Sequence, residues 1–118
     1  MKREAITMDG CGKVAVLSDA TSVWMNEMEL VELFDVIAST FRAAIRAVYK
    51  SGVLQPCEVE RRIRLSTGYY AEVYALPMVM ALAFRINTPN AARVRNTLLE
   101  RLCSRKKVAL GSGHRYGC

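Results

Sequence analysis

Arg42 and Arg46 stand one helical turn apart in a stretch, ASTFRAAIRAVYK, whose apolar residues already have somewhere to go. Phe41, Ala44, Ile45 and Val48 follow the i, i+3, i+4, i+7 pattern of a buried helix face. The same spacing sends Ser39, Arg42, Ala43 and Arg46 out together on the opposite face. A planar guanidinium donates in bidentate fashion to O6 and N7 of guanine, and an alanine methyl meets the methyl of thymine. This face therefore carries groups that read base edges in the major groove of DNA, with Arg42 the first candidate for base readout.

The neighbouring cations suit a different task. Lys50 stands at the end of the same helical pattern, and Arg61, Arg62 and Arg64 fall in the β-favouring run VERRIRL. Such residues fit phosphate contacts, which position a protein on the duplex without specifying sequence. Thr67 and Tyr69, at the tip of the hairpin that VERRIRL begins, are placed to reach sugar or the minor groove.

Other chemistry finds little material. The only histidine is His114, near the C-terminus, and the sequence holds neither a phosphate-binding GxxxxGK[ST] nor a GxGxxG. The four cysteines, Cys11, Cys57, Cys103 and Cys118, are far apart with no CxxC, so neither a zinc site nor a disulfide framework is expected, and reduced thiols fit a cytoplasmic protein. No enzyme activity, cofactor or metal is expected. A net charge of +6 and a pI near 9.4 favour an acidic polymer as partner. The start, MKREAITMDGCGK, lacks an apolar signal core, and the most hydrophobic run, residues 75–86, is interrupted by Pro77 and Arg85.

The elements that must position these residues can be read in order. Residues 4–8 and 13–17 are short β-favouring runs around the turn-rich DGCG, an N-terminal hairpin. Trp24 precedes the first helix as an anchor at the edge of the core. Asn26 is a good N-cap and Glu29 completes the capping-box spacing, so a helix is predicted to begin there and run to about Phe34. Met28, Val31 and Phe34 are expected on its apolar side, widened by Leu30 and Leu33, with Glu27, Glu29 and Glu32 outside it. Asp35-Val36 reads as a tight turn into a second helix over residues 38–49, which Ser51-Gly52 stops.

A second hairpin is predicted over 59–65 and 69–76, with Arg62 and Arg64 on one face and Ile63 and Leu65 on the other. Pro77 opens a further helix, MVMALAFRI, apolar nearly all round and so expected to be buried. Asn87-Thr88-Pro89 breaks it and caps a last helix over about 90–103, with Arg93, Arg95 and Arg101 facing outward. With 118 residues, 52% of them hydrophobic, the chain has material for one packed domain, expected over 1–103, followed by a flexible basic and glycine-rich tail over 104–118.

VWMNEMELVELFDV, a helix with Ser39-Thr40, the KSGVL loop, a strand pair ending in EVYAL, and then ALAFRINT resemble in order and spacing the N-terminal DNA-binding domain of the RhuM-like virulence-protein family. The resemblance covers roughly residues 5–103. It departs from the family at the turn, where Asp35 replaces a glycine, at Val31, where a small residue is usual, and at Ala38, where relatives often carry a polar or basic residue. The resemblance does not extend to the long C-terminal part of typical members. The resemblance implies an α+β winged helix-turn-helix: an N-terminal hairpin, a second hairpin as wing and two further C-terminal helices. The function implied is sequence-specific binding of double-stranded DNA by a bacterial transcriptional regulator or mobile-element-associated protein, acting as a homodimer. The alternative is a protein-interaction or dimerisation module of the same fold without DNA affinity, in which the 78–86 helix would pair subunits if left open.

Overall fold

Asn26 in extended conformation (φ −87°, ψ 174°) accepts the Glu29 N–H on its Oδ1 at 2.8 Å, while the Glu29 carboxylate accepts the Asn26 N–H at 2.9 Å. This reciprocal cap satisfies two otherwise orphaned donors and starts α1 (Glu27–Phe34) where the sequence pattern predicts. In the computed structural model, residues 3–15 and 22–110 are described, with side chains as far as Arg101. α1 stops at Asp35, which turns into the left-handed region at φ 55°, ψ 55°. The N–H groups of Asp35 and Val36 then bond back to the carbonyls of Glu32 and Val31 at 3.3 and 3.2 Å. The chain re-enters helix as α2 (Ala38–Ser51), closed by Gly52 at φ 80°.

The apolar stripe of α1 is not centred as expected. Leu30, Leu33 and Phe34 are buried, Val31 is half-buried and Met28 is 79% exposed. At 3.6 residues per turn Met28 lies roughly 160° round the helix from Leu30, so both cannot face one core. The set with Leu30, Leu33 and Phe34 buries more apolar surface.

Two antiparallel sheets accompany the helices. β1 (Thr7–Met8) and β2 (Val14–Ala15) form the N-terminal hairpin, shorter than expected, with residues 16 and 17 outside the described part. Its turn is tied by Asp9, whose carboxylate accepts the N–H groups of Lys13 and Cys11 at 2.9 Å each; these bonds, that from Lys13 foremost, hold its pKa below the usual carboxylate range. The second sheet has the order β3-β5-β4, from β3 (Trp24–Asn26), β4 (Glu60–Arg64) and β5 (Tyr70–Ala75). The predicted strand ends at Val59 and Leu76 belong instead to α3 (Pro56–Val59) and to α4 (Leu76–Arg85). The α3 turn has a local signal of its own: Pro56 at its first position, and Glu58, whose carboxylate accepts the Gln55 N–H at 3.2 Å.

α4 and α5 (Pro89–Leu110) close the core from the other side. Met78, Val79, Leu82 and Ala83 of α4 are wholly covered within the chain, but the helix is not buried all round as expected: Met80 and Ala81 are half-buried and Phe84 is 54% exposed on its outer side. Thr88 joins two elements: its hydroxyl donates to the Phe34 carbonyl at 2.6 Å and accepts the Ala91 N–H at 3.1 Å, capping α5 against the end of α1.

Two of the arginines expected to face outward from the last helix also make contacts within the chain, Arg93 while staying exposed and Arg95 while half-buried. Arg95 donates to the Ala83 carbonyl at 3.0 Å and the Ile86 carbonyl at 3.5 Å, satisfying the end of α4. Arg93 reaches the Cys11 carbonyl at 3.4 Å and lies over Gly12, where a Cβ would meet its guanidinium at 1.6 Å. α5 also runs past Cys103, because residues 104–110 contain neither glycine nor proline and are mostly good helix formers. Residues 111–118 lie outside the described part. The architecture is thus a mixed α+β fold of five helices and two small antiparallel sheets among the described residues.

Candidate nucleic-acid interface

The sheet register decides which side chains accompany α2. Tyr74 pairs with Met25 and Glu60, Glu72 with Arg62, and Tyr70 with Arg64, so these residues share one sheet face. α2 is pegged to that face at two points. Phe41 meets Tyr74 edge-to-face, with centroids 5.8 Å apart at 73°, and the Tyr49 hydroxyl donates to the Glu60 carboxylate. Burial first, and then the charges of Glu60 and Glu72, push the Tyr74 phenol up to about 12. Burial and the bond to Glu60 push Tyr49 upward as well.

With Phe41, Ile45 and Val48 buried, Ser39, Arg42, Ala43, Arg46 and Lys50 are all exposed. The basic members recur every fourth residue, and α2 contains no Asp or Glu. Arg46 and Lys50 have no ion-pair or hydrogen-bonding side-chain partner among the described residues, and the same holds for Arg64 on the adjoining sheet face. Arg62 lies 3.9 Å from Glu72 in a loose pair, with both side chains more than half exposed. Thr67 and Tyr69 are exposed at the hairpin tip, where the Leu65 N–H closes the turn on the Tyr69 carbonyl at 2.7 Å and Gly68 adopts φ 94°.

Arg61 does not join this group. It pairs with Val73 in the register and so points to the opposite sheet face, where its guanidinium lies 4.8 Å from the Trp24 ring centroid. Tyr70, absent from the residues singled out in the sequence, is 62% exposed and stands opposite Arg64 on the α2 side. The period-two alternation that groups Arg62 with Arg64 is the signal that finds it.

The acidic first helix is largely engaged. Glu29 belongs to the cap and also takes Arg3 at 2.8 Å. Glu27 holds Arg42 through two bonds, Nε to Oε1 at 3.1 Å and Nη2 to Oε2 at 2.8 Å. That carboxylate raises the Arg42 pKa, chiefly through the hydrogen bonds. Among the described residues no group of three or more His, Cys, Asp or Glu is placed to hold a metal ion, and no helix is long and apolar enough to cross a membrane. The chain matches no protein-family model, and neither a curated protein nor a solved structure is significantly similar to it.

Proposed function

We propose that this chain is a winged helix-turn-helix domain that binds double-stranded DNA in a sequence-specific manner, with α2 in the major groove and the β4–β5 hairpin as its wing. The observation that carries the reading is one arrangement: α1 and α2 are inserted between β3 and the hairpin in a β3-β5-β4 sheet, and α2 turns outward a face with three cations at four-residue spacing and no acid. A recognition helix flanked by a basic hairpin is the geometry by which helix-turn-helix proteins dock on DNA. The net charge of +6 suits a polyanion.

In this reading Arg42 reads a base edge and Ala43 packs beside it. Ser39, Arg46, Lys50, Arg62 and Arg64 hold the backbone, and Thr67 and Tyr69 work at the wing tip. Arg61 is assigned to Trp24 and not to phosphate. The likeness of the motif order to RhuM-like proteins supports a role in bacterial gene regulation or on a mobile element, with the domain acting in the cytoplasm as a homodimer.

A salt titration of binding to random and selected duplexes tests the proposal. Arg42→Ala should reduce the preference for the selected duplex, whereas Arg62→Ala should weaken binding to every sequence and reduce the slope of log K against log salt by about 0.9. A parent protein that binds no duplex at low salt would overturn the reading.

A further inference from the structure

We infer that Glu27 is a positioning residue for sequence readout: it holds the Arg42 guanidinium by its Nε/Nη2 edge and thereby presents the Nη1/Nη2 edge to a guanine. The inference rests on the DNA-binding reading and adds to it which residue sets specificity from outside the recognition helix. A guanidinium has five N–H donors in a fixed planar fork. Glu27 uses one on Nε and one on Nη2, at 3.1 and 2.8 Å, which leaves both donors of Nη1 and one of Nη2. Those remaining donors include the parallel pair that matches guanine O6 and N7.

The anchor is itself held. Glu27 is the first residue of α1, directly after the Asn26 cap, so the capping box fixes its backbone and the helix N-terminus favours its negative charge. Arg42 remains 60% exposed despite the pair, so its side chain stays open to solvent and is not drawn into the core. Arg46, one turn further along the same face, has no such partner. One arginine of the face is held by a carboxylate and the other is not, which suits the first to a base and the second to a phosphate. Glu27 also cancels one positive charge at the interface, which lowers the affinity for DNA of any sequence.

The test compares Glu27→Ala with Glu32→Ala, which removes the same charge from an exposed position of α1 that lacks an arginine partner. Dissociation constants are measured by fluorescence anisotropy at one salt concentration, for a duplex selected from a random pool by the parent and for a random duplex. Glu27→Ala should tighten binding to the random duplex a few-fold and weaken binding to the selected one, so that discrimination falls about tenfold, within the range a bidentate arginine–guanine contact supplies. Glu32→Ala should leave discrimination unchanged. In an Arg42→Ala background the Glu27 substitution should cost no further discrimination. Glu27→Gln, which keeps one acceptor oxygen, should fall between, and it serves as the folded comparison if the alanine variant is unstable.

The inference is overturned if Glu27→Ala shifts both affinities by the same factor, as a bare change of charge would, or if it lowers discrimination equally without Arg42. A parent that binds no duplex sinks the DNA reading and this inference together. A DNA-binding parent whose discrimination survives Glu27→Ala intact sinks this inference alone.

Discussion

Asp35 is the residue on which the angle between α1 and α2 turns, and it is the only described residue other than glycine with positive φ. A side chain there is under mild strain, because the left-handed region brings Cβ close to the following carbonyl oxygen. Asp35→Gly should therefore raise stability by about 0.5 kcal/mol, and Asp35→Val should lower it by about 1–2 kcal/mol, both read from denaturant midpoints. Tyr74 offers a test by pH. Its folded pKa is raised from 10.0 to about 12, so the folded state holds the phenolic proton more tightly than the unfolded chain does. Its contribution is fully present below pH 10 and is lost as pH rises from 10 to about 12. Tyr74→Phe should make that part of the stability profile less steep, leaving the fall that Tyr49 contributes over the same range, and an unchanged alkaline limb would remove Tyr74 as a source.

At the scale of elements, the caps are what keep short helices in place. α1 has only eight residues, too few to persist in water by propensity alone. Asn26→Ala, which breaks the reciprocal cap, should cost about 1 kcal/mol and should also lower DNA discrimination, since Glu27 follows it directly. Thr88→Val removes the cap of α5 and the bond to the Phe34 carbonyl in one step, and should cost about 1–2 kcal/mol in thermal or denaturant unfolding. An effect no larger than that of a surface substitution would mean that core packing alone holds α5 to α1.

For the molecule as a whole, the expected signature is electrostatic. If Arg46, Lys50, Arg62 and Arg64 each displace a counterion from phosphate, the slope of log K against log salt should be about −3 to −4 per protomer. A slope near zero with retained binding would move the interface away from this face. The Arg62–Glu72 pair is too exposed to alter the sum greatly, because solvent and salt screen such pairs.

Much of this protein was determined by local sequence. Asn26 with Glu29, Asp35, Gly52, Pro77 and Thr88 act within a few residues of themselves, through caps and turns whose partners are neighbours in the chain, so the helices begin close to where the pattern puts them. The exposed face of α2 was legible for the same reason: Phe41, Ile45 and Val48 define its buried side by spacing alone. What spacing does not encode is how one element sits on another. The rotation of α1 that exposes Met28, the strand register that turns Arg61 toward Trp24, and the docking of Arg93 and Arg95 each rest on contacts between residues distant in sequence. The same is true of Glu27 and Arg42. They are fifteen residues apart, and only the turn at Asp35, by folding α2 back across α1, brings the carboxylate to the guanidinium it holds.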